Sequence, residues 1–359
     1  MNETEPLERL PVSVLTGFLG SGKTTLLKHL LTRPELSDTA VVINEFGEVG
    51  LDHLLVEAAR EDMVLLASGC LCCTVRGDLV DALRRLFKRR AKGEIPAFRR
   101  VVIETTGLAD PAPVLQTLMQ DPLLSEVYRL DGVIVTVDAV NAMDQLDRQV
   151  ESVKQAAVAD RLVLTKTDLV GDTEPLTTRL RRLNPAAPIL VAELGRIDPA
   201  RILDAGLYNP TTKSLEAQAW LKSEAYGEEI HDHDHDHPVD RNRHDAHIRA
   251  FCLTWERPLD WGRFADWIES LIALHGADLL RIKGLLHVAD SNGPIAIHGV
   301  QHLFHPPVEL PAWPDGDRKS RIVFITRDIE AASLKAGLAA FQGAADAPAA
   351  AEATEHNPA

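Results

Sequence analysis

The chain has 359 residues, 45% hydrophobic and 25% charged, enough to bury a large core and more than one domain comfortably holds. Its formal net charge of −15 at pH 7 argues against nucleic-acid and membrane-surface partners, which repel an acidic protein lacking a basic patch. No apolar stretch reaches the roughly 18 residues of a membrane span, and the acidic start Met1-Asn2-Glu3-Thr4-Glu5 is unlike a signal peptide, so a cytoplasmic protein is expected.

The first predicted strand, Val12-Ser13-Val14-Leu15, runs into Gly17-Phe18-Leu19-Gly20-Ser21-Gly22-Lys23-Thr24 and then into the apolar helix Thr25 to Leu31. Strand, G-x-x-x-x-G-K-[ST] loop and helix in that order make a phosphate-binding unit. Gly17, Gly20 and Gly22 let backbone N–H groups, that of Ser21 among them, turn inward around an anion. Lys23 adds a charge at the β and γ oxygens, the Thr24 hydroxyl can ligate Mg²⁺, and Thr25 carries the site into the helix.

The second strand, Ala40 to Ile43, leads into Asn44-Glu45-Phe46-Gly47-Glu48-Val49-Gly50-Leu51-Asp52, where a nucleotide-sensing switch would sit. Glu45, Glu48 and Asp52 are candidates for positioning the attacking water or contacting a metal; a solvated loop is the alternative. The third strand, Met63 to Ala67, ends in Gly69-Cys70-Leu71-Cys72-Cys73, just before a helix from Asp78 to Arg90 whose basic end, Arg84 to Arg90, reads as a solvated face. Three of the four cysteines within four positions suit a metal in a reducing compartment better than disulfides. Cys70 and Cys72 point the same way on an extended chain, and a turn brings Cys73 round, giving three thiolates for a soft or borderline ion such as Zn²⁺. Glu48 or a histidine is the available fourth ligand.

The fourth strand, Arg100 to Ile103, ends in Glu104-Thr105-Thr106-Gly107, placing a carboxylate where it can hold Mg²⁺ through water. Asp110-Pro111 opens a helix from Ala112 to Gln120, and further strands are read at Gly132 to Val137, Arg161 to Leu164 and Pro188 to Val191. Behind Leu164 stands Thr165-Lys166-Thr167-Asp168, close to the N-K-x-D of GTPases. Asp168 can accept two N–H bonds from the guanine edge, which adenine cannot supply, and the Lys166 stem can lie over the ring. Thr165 replaces the usual Asn. The rhythm predicts an α/β class, a P-loop NTPase doubly wound, mostly parallel sheet, joined to a second, smaller α+β domain.

From about Gly206 the chain turns polar, with His231-Asp232-His233-Asp234-His235-Asp236-His237 in its middle. Six of the chain's 14 histidines fall in the 17 positions from His231 to His247. His231, His233, His235 and His237 therefore offer weak, multiple, exchangeable nitrogen ligands on a linker. Order returns at Ile248 to Leu253, followed by a helix at Trp261 to His275 and strands at Leu280 to Val288, Ile295 to Phe304 and Arg321 to Ile325. His287, His298, His302 and His305 read as ordinary strand and loop residues. The expected divisions are 1–205 for the nucleotide domain, 206–247 for the linker, 248–330 for the α+β domain and 331–359 for a helix decaying into an acidic, Ala- and Pro-rich tail.

The succession G-F-L-G-S-G-K-T-T, N-E-F-G-E, G-C-L-C-C, E-T-T-G-L-A-D-P, L-D-G-V-I-V-T-V-D-A and T-K-T-D, with a histidine-rich linker and a C-terminal α+β domain, resembles the CobW family of P-loop GTPases and metallochaperones over about residues 10 to 330. The resemblance implies a slow GTPase that binds Zn²⁺ or Co²⁺ at the C-x-C-C site and hands it to a client protein. It implies phosphate and Mg²⁺ at Gly17 to Thr24, metal at Cys70, Cys72 and Cys73, and guanine at Thr165 to Asp168. Lys23, Glu45 and Glu104 are the candidate catalytic residues. No nucleic acid and no membrane is expected, with self-association left open. Two rival readings are a non-catalytic metal buffer with a structural nucleotide and an ATP-dependent small-molecule kinase; the T-K-T-D loop speaks against the second.

Overall fold

The computed structural model describes residues 9–44, 64–65, 71–75, 79–203, 247–314 and 316–343. The first unit runs β1 (Leu10–Gly17), α1 (Lys23–Leu31), β2 (Thr39–Asn44), β3 (Val64–Leu65), β4 (Leu71–Val75), α2 (Leu79–Ala91), β5 (Arg100–Thr105), α3 (Ala112–Gln120), α4 (Pro122–Val127) and β6 (Tyr128–Asp138). It continues with α5 (Ala142–Arg148), α6 (Val150–Val158), β7 (Arg161–Thr165), α7 (Glu174–Leu183), β8 (Ile189–Val191) and α8 (Pro199–Ile202). Its sheet has the strand order β3-β4-β2-β5-β1-β6-β7-β8, parallel except for β3 against β4.

Both faces of this sheet are covered, and the two-residue period of β1 shows how. Val12 and Val14 enter one core with Leu83 of α2, Leu115 of α3, Val153 of α6 and Leu180 of α7. Leu15 points to the other face and packs with Leu26 and Leu30 of α1 and Ile202 of α8. Strands buried on both faces need short apolar runs, which is what β1, β2, β5 and β7 supply. The C-terminal ends of β1, β5, β6 and β7 therefore meet at one edge, where open α/β sheets bind ligands.

β6 starts four residues before the expected Gly132. Tyr128 is buried, its hydroxyl donating to the Leu83 carbonyl at 3.1 Å, and Asp131 accepts from the Ser13 hydroxyl at 2.8 Å. A polar residue satisfied in this way extends a strand that its apolar run alone does not announce.

The second unit contains β9 (Ile248–Trp255), α9 (Trp261–His275), β10 (Leu279–Leu286), β11 (Ile295–Val300), β12 (Leu303–Phe304), β13 (Val308–Glu309), β14 (Ser320–Arg327) and α10 (Ala331–Phe341). Its antiparallel sheet has the order β12-β11-β10-β14-β9, with β13 beside β11. The single strand expected from Ile295 to Phe304 is a hairpin instead. Gln301 turns the chain with a left-handed φ of 53°, and its N–H reaches the Leu279 carbonyl at 2.8 Å. Helices α9 and α10 cover one sheet face, where Phe264, Trp267, Phe324, Leu334 and Leu338 share a core. The other face meets the first unit, with Leu280 and Ile325 against Ala157 of α6 and with Val300 and Leu303 joining the first core. Among the described residues, no helix is long and apolar enough to cross a membrane.

Candidate functional site

At the end of β1, Gly17 takes φ 140°, and a Cβ there would fall 2.3 Å from the Thr136 hydroxyl oxygen. Gly20 and Gly22 take φ values of 71° and 91°, conformations that side chains resist. The loop closes through a Ser21 N–H bond to the Phe18 carbonyl at 3.1 Å and the Ser21 and Thr136 hydroxyls at 2.7 Å. Lys23 is buried, its ammonium donating to the Gly17 and Phe18 carbonyls at 2.8 and 3.1 Å. An arriving phosphate competes for those protons.

Thr24, on the first turn of α1, donates its hydroxyl to Oε1 of the buried Glu104 at 2.9 Å. A hydroxyl and a carboxylate within hydrogen-bond distance, beside a phosphate loop, are the oxygen donors a hard divalent cation takes, so these residues fit Mg²⁺. Behind Glu104, Thr105 donates to the Thr16 hydroxyl at 2.7 Å, fixing β5 against β1. The loop that follows presses on the phosphate loop, since a Cβ on Gly107 would fall 2.6 Å from the Leu19 amide nitrogen.

The base-reading candidates gather at the end of β7, two strands from β1 across β6. The Thr165 hydroxyl donates to the Ser21 carbonyl at 2.8 Å, and its own carbonyl accepts from the Ala139 N–H at 3.0 Å. Thr165 thus ties the base loop to the phosphate loop from the position where Asn is usual. Lys166 has a left-handed φ of 56°, and Asp168 is exposed on the 3-10 turn Thr167–Leu169 that follows. Sequence reasoning missed two participants. One is Asp138, a strand-end acid inside the L-D-G-V-I-V-T-V-D-A run, whose Oδ2 accepts from Lys166 Nζ at 2.7 Å. The other is Leu194-Gly195 after β8, where Leu194 takes a left-handed φ of 51° and a Cβ on Gly195 would lie 2.8 Å from the Thr25 carbonyl. Glycine after a strand-end Glu-Leu is the one signal that could have marked the second.

Glu45, Glu48, Asp52, Cys70, His231, His233, His235 and His237 lie outside the described residues. Cys72 and Cys73 are described in their backbone, and there the expectation of a turn at Cys73 is corrected. Both are inside β4, which pairs in parallel with β2 (Val41 with Cys72, Val42 with Cys73) and antiparallel with β3. The β-branched and apolar neighbours Leu71, Thr74 and Val75 favour an extended strand through the cysteines, separate from the expected strand Met63 to Ala67, within which β3 lies. The fourth cysteine, Cys252 on β9, has its thiol pushed up to about 11 by burial, so it stays protonated and is a poor ligand or nucleophile. Among the described residues, no three His, Cys, Asp or Glu side chains are grouped to hold a metal. His298 and His305 come together at the boundary between the units, buried, with rings 4.7 Å apart and 27° from parallel.

Residues 11–191 match the CobW/HypB/UreG nucleotide-binding domain, and residues 248–342 match the cobalamin synthesis protein CobW C-terminal domain. The chain is 34% identical over 333 residues to the zinc chaperone YjiA of Escherichia coli strain K12, covering 93% of this chain and 99% of that one. It is 32% identical over 357 residues to zinc-regulated GTPase metalloprotein activator 1 of Schizosaccharomyces pombe, covering 90% and 84%. Among solved structures, the Zn(II)-bound YjiA GTPase of E. coli superposes with a TM-score of 0.71 at 32% identity, covering 93% of this chain and 99% of that one.

Proposed function

The chain belongs to the CobW/HypB/UreG family, with a CobW C-terminal domain, and on that premise we propose that it is a GTP hydrolase that binds zinc and delivers it to a client metalloprotein. The names of its relatives, zinc chaperone and zinc-regulated GTPase, support this reading. The observation that carries it is the Thr165 hydroxyl on the Ser21 carbonyl, which joins the phosphate loop and the T-K-T-D loop at one cleft.

In that cleft Lys23 exchanges the Gly17 and Phe18 carbonyls for the β and γ oxygens, and loop amides complete the cradle. Asp168 takes the two N–H groups of the guanine edge. Thr24 and Glu104 are the residues for Mg²⁺, which when bound neutralises charge between the β and γ phosphates. The Glu45 to Asp52 segment, with Glu45 as first candidate, positions a water for in-line attack. Its oxygen bonds to the γ phosphorus as the bond to the β–γ bridging oxygen breaks, giving GDP, inorganic phosphate and a proton.

Zinc, with cobalt as the second candidate, is the cargo. Cys70, Cys72 and Cys73 hold it as thiolates, with Glu48 or a histidine as fourth ligand, and His231, His233, His235 and His237 supply weak exchangeable binding on the linker. The reading places the protein in the cytoplasm, with neither nucleic acid nor membrane as partner. Its test is phosphate release from GTP by protein purified without affinity metal, assayed with and without Zn²⁺ and paired with metal analysis. Absence of turnover in both states would reduce the protein to a zinc buffer with a structural nucleotide.

A further inference from the structure

Asp138 ends β6 almost completely buried, with its side chain 2% exposed. A carboxylate survives there only if donors replace its lost water. Three do so: Oδ1 accepts from the Val140 N–H at 2.9 Å, and Oδ2 accepts from Asn141 Nδ2 at 2.8 Å and Lys166 Nζ at 2.7 Å. Burial opposes ionisation, but these bonds outweigh it and hold the carboxyl below its ordinary range. Asp138 therefore binds two loops at once, the turn after β6 and the base loop after β7.

The base loop needs such a clamp. Lys166 is not glycine yet sits at φ 56°, a conformation that side chains resist and that persists where neighbours over-determine it. Its backbone is held on both sides: the Thr165 hydroxyl donates to the Ser21 carbonyl at 2.8 Å and the Leu169 N–H donates to the Lys166 carbonyl at 3.1 Å. The Asp138 bond fixes the remaining freedom, the direction of the side chain. Lys166 is 37% exposed, so part of its stem stays open to solvent while its ammonium is drawn down to the strand end. Without that anchor a lysine on a surface loop samples many rotamers, and ordering it on binding costs affinity.

We infer that Asp138 is a specificity-determining positioning residue for the base: by holding Lys166 and the Val140–Asn141 turn, it presets the Lys166 stem as a platform and Asp168 as the edge reader of a purine nucleotide. This deepens the guanine reading and rests on it. Asp138 acts on the base through Lys166. Its sequence signal is faint, an Asp at the end of an apolar run, because the partner is 28 residues away.

The test is the ratio of GDP to ADP affinity, measured with fluorescent derivatives of both for the full chain, Asp138→Asn, Asp138→Ala, Lys166→Met and the Asp138→Asn/Lys166→Met double variant. Asp138→Asn keeps the shape and loses the charge, and should lower the ratio about tenfold, the contribution of one charge-assisted hydrogen bond. ADP affinity, set mainly by the phosphate loop, should change little. In the Lys166→Met background the Asp138 substitution should add nothing further to the ratio, since the coupled partner is already gone. General loosening of the fold would weaken both nucleotides together and leave the ratio unchanged; that result overturns the inference, as does full additivity in the double variant. Failure of the parent protein itself to prefer GDP would instead strike the guanine reading, and Asp168→Asn serves as the reference for lost base recognition.

Discussion

Arg281 of β10 and Asp160, which precedes β7, form an ion pair across the two units with both side chains only 3% exposed. Arg281 also donates to the Val158 carbonyl at the end of α6, Lys283 adds a bond to Asp160 Oδ1 at 2.5 Å, and Asp160 Oδ2 accepts from the Val133 N–H at 2.9 Å. One turn back on α6, Gln155 donates to the Gly107 and Ala109 carbonyls at 3.2 and 3.0 Å. A single helix thus touches the C-terminal sheet at one end and, near its middle, the loop that presses on the phosphate loop.

Arg281→Met should destabilise the protein by about 3–5 kcal/mol, because it leaves Asp160 buried with less compensation than a desolvated carboxylate needs. Adding Asp160→Asn should return much of that loss, since a buried pair replaced whole costs less than a pair broken. Urea unfolding of both single variants and the double variant measures the difference; a double variant as unstable as the sum of the singles contradicts the account.

The stacked imidazoles set a pH dependence. Burial, then the charge on Arg281, lowers His305 from 6.5 to about 4 and moves His298 in the same direction. Asp160 opposes this for both rings, while Lys283 and the His305 ring reinforce it at His298 and Arg9 reinforces it at His305. Between pH 6.5 and about 4 the unfolded chain takes up protons at these positions that the folded chain refuses, so stability falls as pH falls through that window. Asp160, held well below the carboxylate range, adds a further loss only at lower pH, as it protonates in the unfolded chain. Each histidine contributes at most about 1.4 kcal/mol per pH unit, and His305→Gln should flatten the slope of unfolding free energy between pH 6.5 and 5. An unchanged slope in that variant shows that other groups carry it.

The strand–loop–helix geometry of residues 10–31 was legible because its pattern is contiguous, and Glu104 was legible as the end of an apolar strand beside it. The loop from Thr165 to Asp168 was readable for the same local reason. Asp138, the Asp160–Arg281 pair and the His298–His305 stack were not, because each joins residues that only the fold brings together; His298 and His305 meet through the β11–β12 hairpin that Gln301 turns. The turn expected at Cys73 was the local misreading: extended neighbours carry the strand on, and composition could not show that β4 runs through Cys72 and Cys73.

Lys23→Ala should weaken GTP binding on the order of 100-fold, the loss of two charge-assisted bonds of about 1.5 kcal/mol each. Lys23 is buried and bonded to the Gly17 and Phe18 carbonyls, so truncation also frees those carbonyls and loosens the loop. Calorimetric titration with GTP, alongside circular dichroism to verify the fold, reads the effect. Tight binding by a folded Lys23→Ala protein removes the phosphate-loop assignment.

Asp168→Asn should lower GTP affinity and raise affinity for xanthosine triphosphate, because an Asn amide can donate to the oxygen that replaces the guanine amino group. The exposed Asp168 makes the exchange without opening the core, so stability should hold within about 0.5 kcal/mol. Competition between the two triphosphates measures it, and an unchanged preference means that another residue reads the base.

Metal and nucleotide should be coupled through β2, which lies between the cysteine strand and the Glu104 strand. Val42 pairs with Cys73 on one side and Ile103 on the other, and Ile43 pairs with Thr74 and Glu104. Two strand spacings put the cysteine backbone roughly 10 Å from β5, whose Glu104 already holds the Thr24 hydroxyl at 2.9 Å. A nucleotide that draws Thr24 and Glu104 onto Mg²⁺ therefore acts on a ladder that the thiolate strand shares. If GTP tightens zinc binding by some factor, zinc must tighten GTP by the same factor, typically about 5- to 150-fold for couplings of 1–3 kcal/mol. On this account hydrolysis should weaken zinc binding and release the ion to the client. The measurement is zinc affinity in competition with a chelator, Mg²⁺ present throughout, for nucleotide-free, GDP-bound and non-hydrolysable-GTP-bound protein, with Cys72→Ser as control. Affinity should be highest with the GTP analogue and insensitive to nucleotide in the control; equal affinities in all three states would refute the coupling and leave zinc binding and hydrolysis as separate activities of one chain.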